Sequence, residues 1–166
     1  MMPIGIDTSF LIGLLDSRDV WHSGAIRLQE AIATARLEPI YFDCTLAEAI
    51  STLARRLRER HRESELSGIL DNFMLNFRPE TITWILPDVP RLYEAAVQLV
   101  QSSGGELNFN DALIALACRE RGIRVLASFD RDFDNVSGII RVATADEVEK
   151  VVAASQATWS DEESAN

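Results

Sequence analysis

The stretch NFNDALIALACRERGIRVLASFDRDF, residues 108–133, sets the architecture of this chain. It opens on asparagines and an acid, then runs through ALIALAC (112–118), which has no polar face. A helix that is apolar all round is a buried helix, and Gly122 closes it in the position where glycine relieves a left-handed turn. IRVLAS (123–128) follows as a strand. Its VLAS portion does not alternate apolar with polar, the mark of a central strand covered on both faces. The acids of FDRDFD come directly after it.

The same alternation extends outward. PIGI (3–6), PIYF (39–42), TITWIL (81–86) and GIIRVA (138–143) read as further strands. SFLIGLL begins a helix that continues into WHSGAIRLQEAIATAR. LAEAISTLARRLRER, SELSGILDNFMLNF (ended by Pro79) and PRLYEAAVQLVQS (closed by Gly104 and Gly105) supply the others. Strands alternating with helices imply an α/β fold with a mostly parallel sheet, helices on both faces. The expected organisation is one domain over residues 1–145. An acidic C-terminal tail, 146–166, follows, and its last part, ASQATWSDEESAN, reads as disordered.

With 166 residues, 47% hydrophobic and 25% charged, the chain has the composition of an ordinary globular protein. Its apolar runs are too short for a bilayer, and Asp7 stands where an export signal would be apolar. No membrane association and a cytoplasmic location are therefore expected. Cys44 and Cys118 have no CxxC spacing and no histidine nearby, so they read as reduced, buried thiols. The formal net charge of −10 argues against a simple electrostatic nucleic-acid binder. The acidity is uneven, however: RRLRERHR (55–62) carries five arginines against Glu59.

Four acids stand at element ends. Asp7 ends the first strand, Glu48 opens the helix after the second, Asp111 opens the buried helix and Asp130 follows IRVLAS. In open parallel sheets ligands bind beyond the carboxyl ends of the strands, so Asp7 and Asp130 reach one edge from distant parts of the chain. Each acid also has a structural role open to it. Asp7 can cap the next helix, T-L-A-E (45–48) fits a capping box, Asp111 suits a helix N-terminus, and FDRDFDN is a turn-rich acidic segment. Grouped acids repel one another unless cations neutralise them, and hard divalent ions prefer carboxylate ligands. His22 and His61 are isolated and give no zinc pattern.

With these residues in view, the chain resembles the PIN-domain ribonucleases, most closely the VapC-like toxins of toxin–antitoxin pairs. The resemblance rests on IDTSFLIGLLD, TLAEAISTLARR, NFNDALIALACRERG and VLASFDRDF, in that order, over residues 4 to about 143. It implies a PIN-like three-layer sandwich with a five-stranded parallel sheet. It places the family's metal-binding and catalytic acids on Asp7, Glu48, Asp111 and Asp130, with Thr8, Ser9, Asn110 and Ser128 as the polar residues around them. Asp132 competes with Asp130 for the fourth place; Asp130 is preferred because it directly follows the strand. Position 128 is Ser where the family often has Thr.

The implied activity is hydrolysis of RNA phosphodiester bonds by water activated on Mg2+ or Mn2+. Arg55, Arg58 and Arg62, within a turn of each other on a helix, are the candidates for gripping the RNA backbone; a solvated helix face is the competing reading. A small antitoxin protein and a homodimer are further implications of the resemblance. The rival within the fold is a catalytically silent PIN-like protein that binds RNA or a partner. A haloacid-dehalogenase-type phosphatase needs a second Asp where Ser9 stands and a lysine before its last acids, whereas Lys150 is the only lysine. Neither GxxxxGK[ST] nor GxGxxG occurs, which removes the common nucleotide-binding loops.

Overall fold

In the computed structural model, which describes the backbone of residues 1–163 and side chains through residue 155, five strands form one parallel sheet. They are β1 (Pro3–Ile6), β2 (Glu38–Phe42), β3 (Ile82–Thr83), β4 (Val125–Ala127) and β5 (Ile140–Val142), in spatial order β3-β2-β1-β4-β5. The expected α/β architecture is what the chain adopts. β1 is central: Ile6 pairs with Tyr41 on one side and with Ala127 on the other. The order reverses between β1 and β4, and beyond the carboxyl ends of those two strands lies the crevice where such sheets place their ligands.

Alternation along the strands builds a core on each face. Ile4, Ile6, Val125 and Ala127 point to one side, with α1 (Thr8–Leu15), α2 (His22–Thr34), α3 (Asp43–Glu59) and α7 (Ala145–Glu163) contributing to that cluster. Phe42, Leu126 and the buried face of α6 (Phe109–Glu120) form the other, with Ile85 and with Leu92 of α5 (Val89–Ser102). The remaining helix, α4 (Leu66–Asn76), adds Phe73 to the first core. α6 packs hard on the sheet at Gly5. A Cβ there would lie 3.0 Å from Leu126 Cδ1 and 3.1 Å from Cys118 Sγ. Both cysteines are free and buried.

Four expectations are corrected. The first helix does not run on: it stops at Asp16 and α2 begins at His22. Asp16 accepts from Arg18 N and Asp19 from Trp21 N, so two short carboxylates bond the backbone two residues ahead and compete with helix continuation. The T-L-A-E capping box does not form. α3 starts at Asp43, and Thr45 lies inside it, donating to Ile6 O at 3.3 Å. β3 covers only two residues of TITWIL, because Ile85 N and Leu86 N are taken by the buried carboxylate of Asp43 instead of a ladder partner. Finally, the segment read as a tail from residue 146 is helical through Glu163, and Val148 is buried in the first core. Ser164–Asn166, the end of the expected disordered part, lie outside the described residues.

Candidate active site at the sheet switch point

Asp7 leaves β1 directly into the first turn of α1 and is only 3% exposed. Its backbone N–H donates to Ala127 O at 3.0 Å, locking the ends of β1 and β4 together. Its Oδ2 accepts from Ser9 N (3.1 Å), Ser9 Oγ (2.6 Å) and Ser128 Oγ (2.7 Å). Burial nevertheless pushes its carboxyl above the ordinary range, and the serine bonds offset this only in part. The helix-capping role expected for Asp7 is therefore present, and it leaves the carboxylate buried at the end of the central strand.

Asp111 is the third residue of α6 and is 5% exposed. A reciprocal capping box holds it: Asp111 N donates to Asn108 Oδ1 at 3.0 Å and Asp111 Oδ2 accepts from Asn108 N at 2.8 Å. Burial pushes its pKa up to about 7; the Asn108 bond opposes this, and the charges of Asp7, Glu48 and Asp130 add to the rise. These three acids, from separate parts of the chain, all act on Asp111.

Glu48 projects from the second turn of α3, where its Oε2 accepts from Thr8 Oγ1 at 3.0 Å and from Asn110 Nδ2 at 3.4 Å. Asp130 follows β4, and its N–H donates to Ser128 Oγ at 2.9 Å. The four polar neighbours therefore divide into two pairs. Ser9 and Ser128 hold Asp7, and Thr8 and Asn110 hold Glu48. Asp132 is turned differently. Its N–H donates to Asp130 Oδ1 at 3.0 Å, and it lines a separate cavity of about 350 Å³ with Ser103, Glu106 and Arg119. Its carboxyl is pushed up by partial burial and by Asp130 and Glu106.

The donor set is chemically suited to a hard divalent ion: four carboxylates, two of them buried, of which Asp7, Glu48 and Asp130 lie near enough to Asp111 for their charges to act on it, and none hydrogen-bonded to an arginine or lysine among the described residues. As the side chains stand, no three His, Cys, Asp or Glu among the described residues already enclose an ion. Each carboxylate is turned to a local donor.

The arginines need correction. α3 ends at Glu59, so Arg62 is not on its face. Arg62 is 7% exposed and holds Asp16 through two bonds (2.9 and 3.2 Å) and Glu65 through two more. It staples the end of α1 to the α3–α4 connection and is not free to bind phosphate. Arg55 is exposed and pairs loosely with Glu59 at 3.4 Å, and Arg58 is exposed, its guanidinium without a bonded partner among the described residues. Sequence reading also passed over Asn108, whose signal was its N-x-x-D spacing to Asp111, and Asp43, a buried strand-end acid that serves the backbone of Ile85 and Leu86.

A parallel α/β sheet with carboxylates gathered at its switch point is the class this architecture defines. The chain belongs to the PIN domain family, whose model matches residues 4–139. Among solved structures it is similar to the Mycobacterium tuberculosis toxin VapC20, described as cleaving the sarcin–ricin loop. The TM-score is 0.63 at 24% identity, over 84% of this chain and 98% of that one. It is also similar to VapBC2 from Rickettsia felis, crystallised bound to a DNA fragment from its promoter, with TM-score 0.60 and 15% identity over 85% of this chain and 98% of that one. At these identities the likeness is one of fold. No curated protein matches.

Proposed function

We propose that this chain is a metal-dependent endoribonuclease of the VapC toxin type, with Asp7, Glu48, Asp111 and Asp130 as its site. The observation that carries the reading is the pair of buried acids at the sheet switch point, Asp7 at the end of β1 held by Ser9 and Ser128 and Asp111 at the start of α6 held by Asn108, with Glu48 and Asp130 near enough for their charges to act on Asp111. Family membership and the described activity of VapC20 support it. A bound Mg2+ or Mn2+ would neutralise this charge, attract the phosphate and lower the pKa of water. Asp7, fixed by two serines, and Asp111, fixed by Asn108, would be its principal ligands, with Glu48 completing the set. Asp130 orients the attacking water or joins the ligands. Ser128, fully buried between Asp7 and Asp130 N, keeps those two acids in register.

Arg58 and Arg55 are the side chains of α3 left to meet the RNA backbone. A small antitoxin is the expected protein partner, in keeping with the VapBC2 likeness. Homodimerisation is proposed on the exposed Tyr93 and Val97 of α5. No described helix is long and apolar enough to cross a membrane, and a cytoplasmic site of action is part of the same proposal.

The test is cleavage of a mixed RNA pool with Mg2+ or Mn2+, with and without EDTA, by wild type, Asp7→Asn and Asp111→Asn. Wild type cuts only with metal. Each variant loses at least ~100-fold while keeping its circular dichroism, since even residues that merely orient a ligand cost ~10–100-fold. Undiminished cutting by Asp111→Asn overturns the site. The silent alternative predicts no cutting, and no heat from Mn2+ that depends on Asp7 or Asp111.

A further inference from the structure

The nuclease reading leaves one feature beside the acids unused. Phe129 lies between Ser128 and Asp130, and its N–H donates to Ser9 Oγ at 2.9 Å. Its ring carries the indole of Trp21, stacked with centroids 4.9 Å apart and planes 8° from parallel. Phe129 also meets Phe10, with ring centroids 6.1 Å apart and planes tilted by 53°. Phe129 is partly buried and packs against the first core, while Trp21 is 51% exposed, a large aromatic half in water.

The loop holds that indole deliberately in place. Trp21 N donates to Asp19 Oδ1 at 2.8 Å, and Asp19 Oδ2 is paired with Arg56 of α3 at 2.8 Å. Asp16, at the loop's start, is buried against Arg62. The glycines at 13 and 24 make room beneath. A Cβ at Gly13 would lie 3.4 Å from Phe129 and 3.5 Å from Trp21, and one at Gly24 would touch Phe129 at 3.6 Å. The two segments that carry the rings also carry exposed cations, Arg18 and Arg131. Among the described residues each guanidinium has one long surface ion pair (3.7 and 3.8 Å), a kind of contact that binds little.

We propose that Trp21, seated on Phe129, is a stacking platform for an unpaired nucleobase of the RNA substrate, one that positions the strand beside Asp7 and Asp130. The inference rests on the nuclease reading and adds how the strand is held. A free aromatic face accepts any base, since every base has a π-face, and single-stranded segments are where proteins read RNA in this way. Continuity through Phe129 with the acids favours a nucleic acid over a protein partner on this surface. Trp21 is a positioning residue: it meets a base, not the reacting phosphate.

The test uses an RNA oligonucleotide containing the site mapped in the pool experiment and a series in which single nucleotides flanking the cut are abasic. Trp21→Leu keeps an apolar cover over Phe129 but cannot stack, whereas Trp21→Tyr can. Expected for Trp21→Leu is a KM raised about 10-fold with kcat changed less, and for Trp21→Tyr a KM within about 3-fold of wild type. One abasic position raises the wild-type KM by a similar factor and has no further effect on Trp21→Leu. A wild-type KM for Trp21→Leu overturns the platform and marks the pair as a surface for a protein; equal damage from Leu and Tyr overturns it as mere packing. If Trp21→Leu does not fold, the abasic series on wild type decides alone: no sensitive position overturns the inference. Wild type that cuts no RNA defeats the nuclease reading itself and the platform with it.

Discussion

At Asp111 the fold keeps a carboxyl group near neutrality that would be fully ionised in the unfolded chain. Its ordinary value is 3.8 and it is pushed up to about 7, first by burial and then by its acidic neighbours. Between those values the folded chain holds a proton the unfolded chain has released, so raising the pH across that window weakens the fold. The effect is on the order of a few kcal/mol at most. Asp7 is shifted in the same direction, so its contribution has the same sign. In metal-free buffer the melting midpoint of wild type should therefore fall from pH 4.5 to pH 7.5. Asp111→Asn, which carries no charge to bury, should flatten that slope and melt higher than wild type at pH 7.5. A wild-type midpoint flat across this range would show that the acids do not crowd one another in solution.

The helices and strands show which parts of this arrangement were legible in the sequence. Asp7, Asp111 and Asp130 were readable because each adjoins an element whose apolar pattern is unmistakable: PIGI, ALIALAC or VLAS. Glu48 is assigned by its place early in α3, and the capping box expected there does not form. What was not legible depended on partners far along the chain. Arg62 reads from the sequence as a candidate grip on the RNA backbone, but its partner Asp16 lies 46 residues away and holds it in a buried ion pair. The end of β3 was set by Asp43, 42 residues before Ile85. Arg62→Ala should lower the melting midpoint well below that of Arg58→Ala, because it leaves the buried Asp16 without its main partner. Arg58→Ala should melt like wild type and weaken RNA binding. Equal midpoints for the two would return Arg62 to the surface. Gly5→Val should cost about 1–3 kcal/mol in denaturant unfolding, since Leu126 and Cys118 already close on that position. It should also lower cleavage more than its stability loss explains, because it lifts α6, and with it Asp111, away from the sheet.

For the molecule as a whole, the arrangement gathers negative charge at one edge of a chain that already carries a net −10. Any salt relieves some of that repulsion, so a rise in stability with added Mn2+ would by itself prove nothing about the site. The two effects separate by their form. Screening grows with ionic strength and is indifferent to which acid is removed, whereas binding at the switch point saturates and needs Asp7 and Asp111. An ion bound only by the folded state, at 100 times its dissociation constant, stabilises by about 2.7 kcal/mol, or roughly 5–10 °C in melting midpoint for a chain of this size. At pH 8, where Asp111 is ionised, Mn2+ should therefore raise the midpoint by that amount beyond sodium chloride at matched ionic strength. EDTA should reverse the rise. Asp7→Asn and Asp111→Asn should keep only the part that sodium chloride reproduces. If matched sodium chloride gives the whole shift in wild type, these acids do not act together on a cation, and the metal-dependent reading fails with them.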